Sequence, residues 1–121
     1  VKLLIVDVAN VMGSRPDGWW RDRAGAARRI GVQLAEAGLP FDEVVLVLEG
    51  AARRGLPEGS DNGVRVLHAP GSGDDEIVAA ARDAVGVGRE VTVVTADRGL
   101  RSRVEAIGAG LEGPSWLLER L

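Results

Sequence analysis

Four short runs rich in β-branched and other apolar residues, Leu3–Val8, Val44–Leu48, Val64–Leu67 and Val91–Thr95, alternate with stretches of helical periodicity. No other feature limits the fold so tightly. The first, second and fourth runs are nearly continuous in apolar residues, as strands buried on both faces are. Between them, Arg21–Ala37 carries Ala24, Ala27, Ile30, Leu34 and Ala37 at spacings of three and four, and Gly38 and Pro40 end it. Gly25 and Gly31 weaken that helix slightly. Glu76–Val85 places Ile77, Ala80, Ala81, Ala84 and Val85 on one face, and a short helix over Arg98–Ile107 stops at Gly108. Ser115–Leu121 reads as a capped helical turn. Gly50–Gly63, with its glycines, Pro57, Ser60, Asp61 and Asn62, reads as mostly loop. Strands alternating with helices build βαβ units, so the expected architecture is a three-layer α/β domain on a parallel sheet of about four strands.

A chain of 121 residues fits one domain, expected here over residues 1–121. Its 45% hydrophobic and 27% charged residues are those of a folded rather than a disordered chain. The absence of cysteine excludes a disulfide scaffold, a zinc–thiolate site and a cysteine nucleophile. No apolar run approaches the roughly 18 residues that cross a membrane. No signal-peptide core is seen, so the expected location is cytoplasmic. A net charge of −3 argues against nucleic-acid binding by bulk electrostatics. It leaves room for an acidic pocket with a local basic rim.

Such a pocket is visible in the pattern. Asp7 and Asn10 follow the first apolar run, Asp74 and Asp75 open a helix after the Gly71–Ser72–Gly73 turn, and Asp97 lies just past the fourth run. In an open parallel sheet the carboxyl ends of the strands share one rim, where ligands bind. Taken singly, each acid has an ordinary explanation. Asp74, Asp75 and Asp97 suit the first turn of a helix, and Asp7 could be met by an arginine or a backbone cap. Taken together they repel one another unless a cation neutralises them. Oxygen ligands select Mg²⁺ or Mn²⁺, which keep waters for substrate and nucleophile. The expected chemistry is phosphoryl transfer by metal-activated water. The lone His68 is expected to be a structural or surface residue rather than a ligand, and Glu49 to be a partner in an ion pair.

The segments Asp7-Val8-Ala9-Asn10-Val11, Asp74-Asp75-Glu76-Ile77-Val78 and Val93-Val94-Thr95-Ala96-Asp97-Arg98 together resemble the PIN-like nucleases, and among them the NYN domains of the bacterial YacP-like branch. The resemblance spans nearly the whole chain. It implies a Rossmann-like three-layer fold and a metal-dependent endoribonuclease that uses Mg²⁺ or Mn²⁺. Asp7, Asp74, Asp75 and Asp97 would be the catalytic and metal-binding acids, and Asn10 would orient metal or phosphate. RNA is the implied partner, with the ribosome or a second copy of the chain as further ones and no membrane. Two departures stand out: Val8 replaces the glycine that often follows the first Asp, and Arg101 stands where some NYN ribonucleases have another acid.

Around this rim, Ser14–Arg29 holds five arginines against two aspartates. Arg15, Arg53, Arg54 and Arg98 are the expected phosphate contacts, since arginine offers a bidentate fork. Trp19, beside Trp20, is the expected stacking surface for an unpaired base, with packing of the first helix as the plainer alternative for either ring. The competing function is a catalytically weak or inactive PIN-like module that binds RNA or protein, which Arg101 motivates. Hydrolysis of a small phosphate ester is a third. A dehalogenase-type phosphatase would want Asp where Ala9 stands, a phospho-receiver a lysine near the last strand, and a dinucleotide site a glycine-rich loop after the first.

Overall fold

The computed structural model describes residues 1–121. The chain runs β1 (Lys2–Asp7), α1 (Val8–Gly13), α2 (Arg23–Ala37), β2 (Glu43–Leu48), β3 (Gly59–Asp61), β4 (Val64–His68), α3 (Gly73–Gly86), β5 (Glu90–Val94), α4 (Arg98–Glu105), β6 (Gly110–Glu112) and α5 (Pro114–Leu118). Short 3₁₀ turns at Trp19–Arg21 and Gly50–Arg54 complete it. The sheet has six strands, ordered β3-β4-β2-β1-β5-β6, rather than the four expected. The four apolar runs are its centre. The additions are β3 and β6, three residues each, at the two edges. β3 is antiparallel to β4, and every other pairing is parallel.

Alternation along the strands sorts the core into two layers. Leu4, Val6, Leu46, Leu48 and Val94 pack with Val11, Met12, Ala27, Ile30, Leu34 and Leu117 from α1, α2 and α5. Leu3, Ile5, Val45, Val47 and Val93 pack on the other face with Ile77, Val78, Ala81, Leu100 and Val104 from α3 and α4. The three-layer expectation therefore holds, and no helix is long and apolar enough to cross a membrane.

Local boundaries differ where capping intervenes. The first strand stops at Asp7, because its carboxylate caps α1 and Val8 turns into the helix. Asp22 caps α2 by accepting from the Gly25 amide at 2.9 Å, so that helix starts at Arg23. Gly50–Gly63 is not simple loop, since it holds a 3₁₀ turn and β3.

The topology fixes where the rim is. From β1 the chain builds outward through β2 to β4, then returns to the other side of β1 for β5 and β6. The order reverses between β1 and β5. The crevice past the carboxyl ends of those two strands is the place where such sheets bind ligands.

Candidate functional site

Asp7 ends β1 at that crevice and is only 7% exposed. Its Oδ1 accepts from the Asn10 amide at 3.2 Å, and its Oδ2 accepts from the Thr95 hydroxyl at 2.9 Å. Thr95 is fully buried just past β5. The same hydroxyl accepts from the Asp97 amide at 3.1 Å, so one side chain ties both acids together. Asp97 caps α4, its Oδ1 accepting from Leu100 at 2.8 Å. Asn10 adds a second tie, its Oδ1 accepting from the Ala96 amide at 2.8 Å. Its carbonyl oxygen thus clamps the corner after β1 to the corner after β5. Expected as an orienter of metal or phosphate, Asn10 is here a brace between two turns.

α3 delivers the next acids from the opposite layer. Ser72 caps it, accepting from the Asp74 amide at 3.2 Å. Gly73 then comes within 2.8 Å of Glu49, donating its amide to Oε2 of that residue. A Cβ at Gly73 would press on the Glu49 carboxylate, so glycine is what permits this approach. Glu49 forms no ion pair, contrary to expectation, and stands at the end of β2 facing the acids.

Electrostatics show which acids share a field. Burial pushes the Asp7 carboxyl above its ordinary value of 3.8; the Thr95 and Asn10 hydrogen bonds pull it down, and Asp74 and Glu49 push it further up. Asp74 is also raised, first by burial, then by Asp97 and Glu49, with Arg103 opposing and Asp75 adding a little. Asp7, Glu49, Asp74 and Asp97 thus form one repelling group with Asp74 at its middle. Asp75, expected among them, is turned away. Its side chain is 75% exposed and pairs with Arg103 at 3.0 Å. A group of like charges on one crevice attracts a cation, although no three acids are near enough to enclose one among themselves.

The surrounding residues divide similarly. Arg101 reaches back along α4 to donate to the Thr95 carbonyl at 2.6 Å, bracing the turn that holds Asp97. Arg98 is exposed at the first position of α4. Arg15 is half-buried after α1 and bonds through its backbone to Met12. Arg53 and Arg54 lie past β2 in the 3₁₀ turn. Trp19 packs against the core, whereas Trp20 is 55% exposed. Trp20 is therefore the more open ring, with the Arg21 guanidinium 5.7 Å from its centroid. His68 is half-buried, its Nε2–H donating to the Leu56 carbonyl at 2.7 Å. Thr95 is not among the residues the sequence marks as candidates, though it sits two residues before Asp97 within the third motif.

Among solved structures, the chain is similar to a point mutant of Rae1 (YacP) from Bacillus subtilis, with a TM-score of 0.68 and 18% identity over 98% of this chain and 74% of that one. At that identity the likeness shows a shared YacP-like fold. No protein-family model matches the chain, and no curated protein does.

Proposed function

We propose that the chain is a PIN-like domain of the YacP-like NYN type and acts as a metal-dependent endoribonuclease. The observation that carries this reading is the repelling group of Asp7, Glu49, Asp74 and Asp97 at the switch point between β1 and β5. The donor set is all oxygen, and it is open rather than closed. That suits a small hard cation that keeps most of its waters and takes few protein ligands, as Mg²⁺ and Mn²⁺ do. Each oxygen of Asp7 accepts one hydrogen bond and keeps a further lone pair. Asp7 and Asp74 are the acids we assign to hold the ion, with Asp97 and Glu49 adding negative field around it.

When bound, such an ion supplies an activated water and charge stabilisation for the phosphodiester. The chain supplies placement. Thr95 and Asn10 hold Asp7 and the turn before Asp97 in fixed positions before substrate arrives. Asp74, with no hydrogen bond on its carboxylate, is free to close on the ion. His68 is committed to a carbonyl and takes no part in proton transfer at the acids.

A second reading, an RNA-binding module that does not cut, draws support from two observations. Both Asp7 oxygens are already engaged, and no three acids converge tightly. Incubating labelled single-stranded and folded RNA with Mn²⁺, Mg²⁺ or EDTA separates the two. The nuclease cuts only with metal, and Asp97→Asn is strongly impaired. A module binds RNA in all three conditions and cuts in none.

A further inference from the structure

Beyond β2, the chain forms a cleft of about 540 Å³ lined by Gly50, Ala51, Arg53, Arg54 and His68. It opens at the carboxyl ends of two paired strands, since Leu48 of β2 is in register with His68 of β4. No carboxylate lines it, and neither arginine belongs to an ion pair. Arg53 is held in place by neutral partners, its Nε donating to the Gly50 carbonyl at 3.1 Å and its Nη1 to the Ala69 carbonyl at 3.4 Å. Its charge is positioned without being cancelled, and Nη2 remains uncommitted. Arg54 is exposed, with no hydrogen-bond partner in the chain.

The 3₁₀ turn that carries both arginines is tied to α2. Arg28 donates to the Gly55 carbonyl at 3.1 Å. A Cβ at Gly55 would overlap the Ala24 carbonyl, so the 3₁₀ turn lies directly on α2. Two adjacent guanidinium groups with no acid between them repel each other, and an oxyanion relieves that repulsion. Arginine's planar fork fits phosphate in particular.

Position then selects the ligand. Glu49 of the acidic group immediately precedes the turn that carries both arginines. At about 2 Å of rise per residue, Arg53 and Arg54 stand roughly 8–10 Å farther along it. An acidic group that calls for a cation is thus followed by a basic cleft that calls for an anion. A chain of phosphates that brings one phosphate with its metal ion to the acids and a second to the arginines satisfies both at once, and a nucleoside monophosphate, with a single phosphate, cannot.

We propose that the Arg53–Arg54 cleft is a metal-independent subsite for a backbone phosphate of RNA that flanks the phosphate at the acids. The proposal rests on RNA being the substrate, and its test does not need catalysis. Anisotropy of a short fluorescein-labelled oligouridylate, measured in EDTA between about 50 and 200 mM salt, reads the number of phosphate contacts. For each arginine lost, the slope of log K against log salt should become shallower by about 0.7. Arg54→Gln should show one such step and the double variant with Arg53→Gln two, while Arg54→Lys keeps the wild-type slope. Should Arg53→Gln perturb the fold in a thermal melt, Arg54→Gln decides alone, because the Arg54 side chain forms no hydrogen bond or ion pair in the protein. Unchanged slope and affinity in Arg54→Gln, or no RNA binding by the wild type, would overturn the proposal. A wild type that binds through the arginines but never cuts with Mn²⁺ keeps the cleft and removes the nuclease. One that cuts with an unchanged slope in Arg54→Gln does the reverse.

Discussion

The two sources of acid on the rim are built in opposite ways. At the β1/β5 corner, Asp7 and Asp97 are tied through one buried Thr95 hydroxyl, and Asn10 and Arg101 brace the turns around them. At the start of α3, Asp74 accepts no hydrogen bond on its carboxylate, and its neighbour Asp75 is drawn off by Arg103. One side is set before any ligand arrives, and the other can adjust. Burial and like charge raise both Asp7 and Asp74, but only Asp7 has hydrogen bonds to offset them. On the proposed reading, Asp7 would grip an ion from a preset position, and Asp74, with no hydrogen bond to break, would complete the hold.

Removing the fixed side should have the largest effect. Asp7→Asn is expected to lower metal-dependent RNA cleavage beyond the roughly 10–100-fold that a residue supporting a metal ligand is worth, as read by initial rates under Mn²⁺. Equal activity in this variant would remove Asp7 from the site.

Thr95→Val comes next. It strips a donor from Asp7 and an acceptor from the Asp97 amide without changing shape. Cleavage should fall about 10–100-fold, and denaturant unfolding should show a loss of about 1–3 kcal/mol for buried groups left unpaired. Thr95→Ser, which keeps the hydroxyl, should restore most of the rate. Failure of serine to rescue would mean that packing, rather than the hydroxyl, sets the corner.

The raised carboxyls give a smaller, pH-dependent signature. Because the folded values of Asp7 and Asp74 lie above the ordinary 3.8, the folded protein binds more protons than the unfolded chain in that window. Their contribution is favourable at low pH and is lost as pH rises from 3.8 through the folded values. In EDTA, the melting temperature of Asp7→Asn relative to wild type should therefore rise between about pH 4 and pH 7. Added Mn²⁺ should narrow the difference by stabilising the wild type. A difference that stays flat with pH would contradict the assigned repulsion.

The smallest effect belongs to Asp75→Asn. Its exposed pair with Arg103 is worth no more than about 1 kcal/mol, so stability and cleavage should each change by less than about fivefold in equilibrium or rate. A loss matching that of Asp7→Asn would return Asp75 to the site.

Much of the scaffold was legible because its signals are local. Apolar runs such as Leu3–Val6 and Val91–Val94 announce buried strands, and their acids mark the carboxyl ends. β3 and β6 were not legible, because three half-buried or exposed residues, each strand beginning with glycine, carry no alternation. α1 hid within the apolar pattern continuing from β1. In the site, the sequence identified Asp7, Asp74 and Asp97 as candidates. It could not separate Asp74 from Asp75, since that depends on Arg103, 28 residues away. Glu49 looked like an ion-pair partner until α3 brought the Gly73 amide to it. Trp19 and Trp20 were indistinguishable without knowing which ring the core takes. Contacts made across the fold, rather than along the chain, decided each of these.

The most direct test is a calorimetric titration of Mn²⁺ into the wild type, Asp74→Asn and Asp75→Asn. The account predicts a binding event in the wild type that is retained in Asp75→Asn and abolished in Asp74→Asn. No heat in a folded wild type, or equal losses in the two variants, would contradict it.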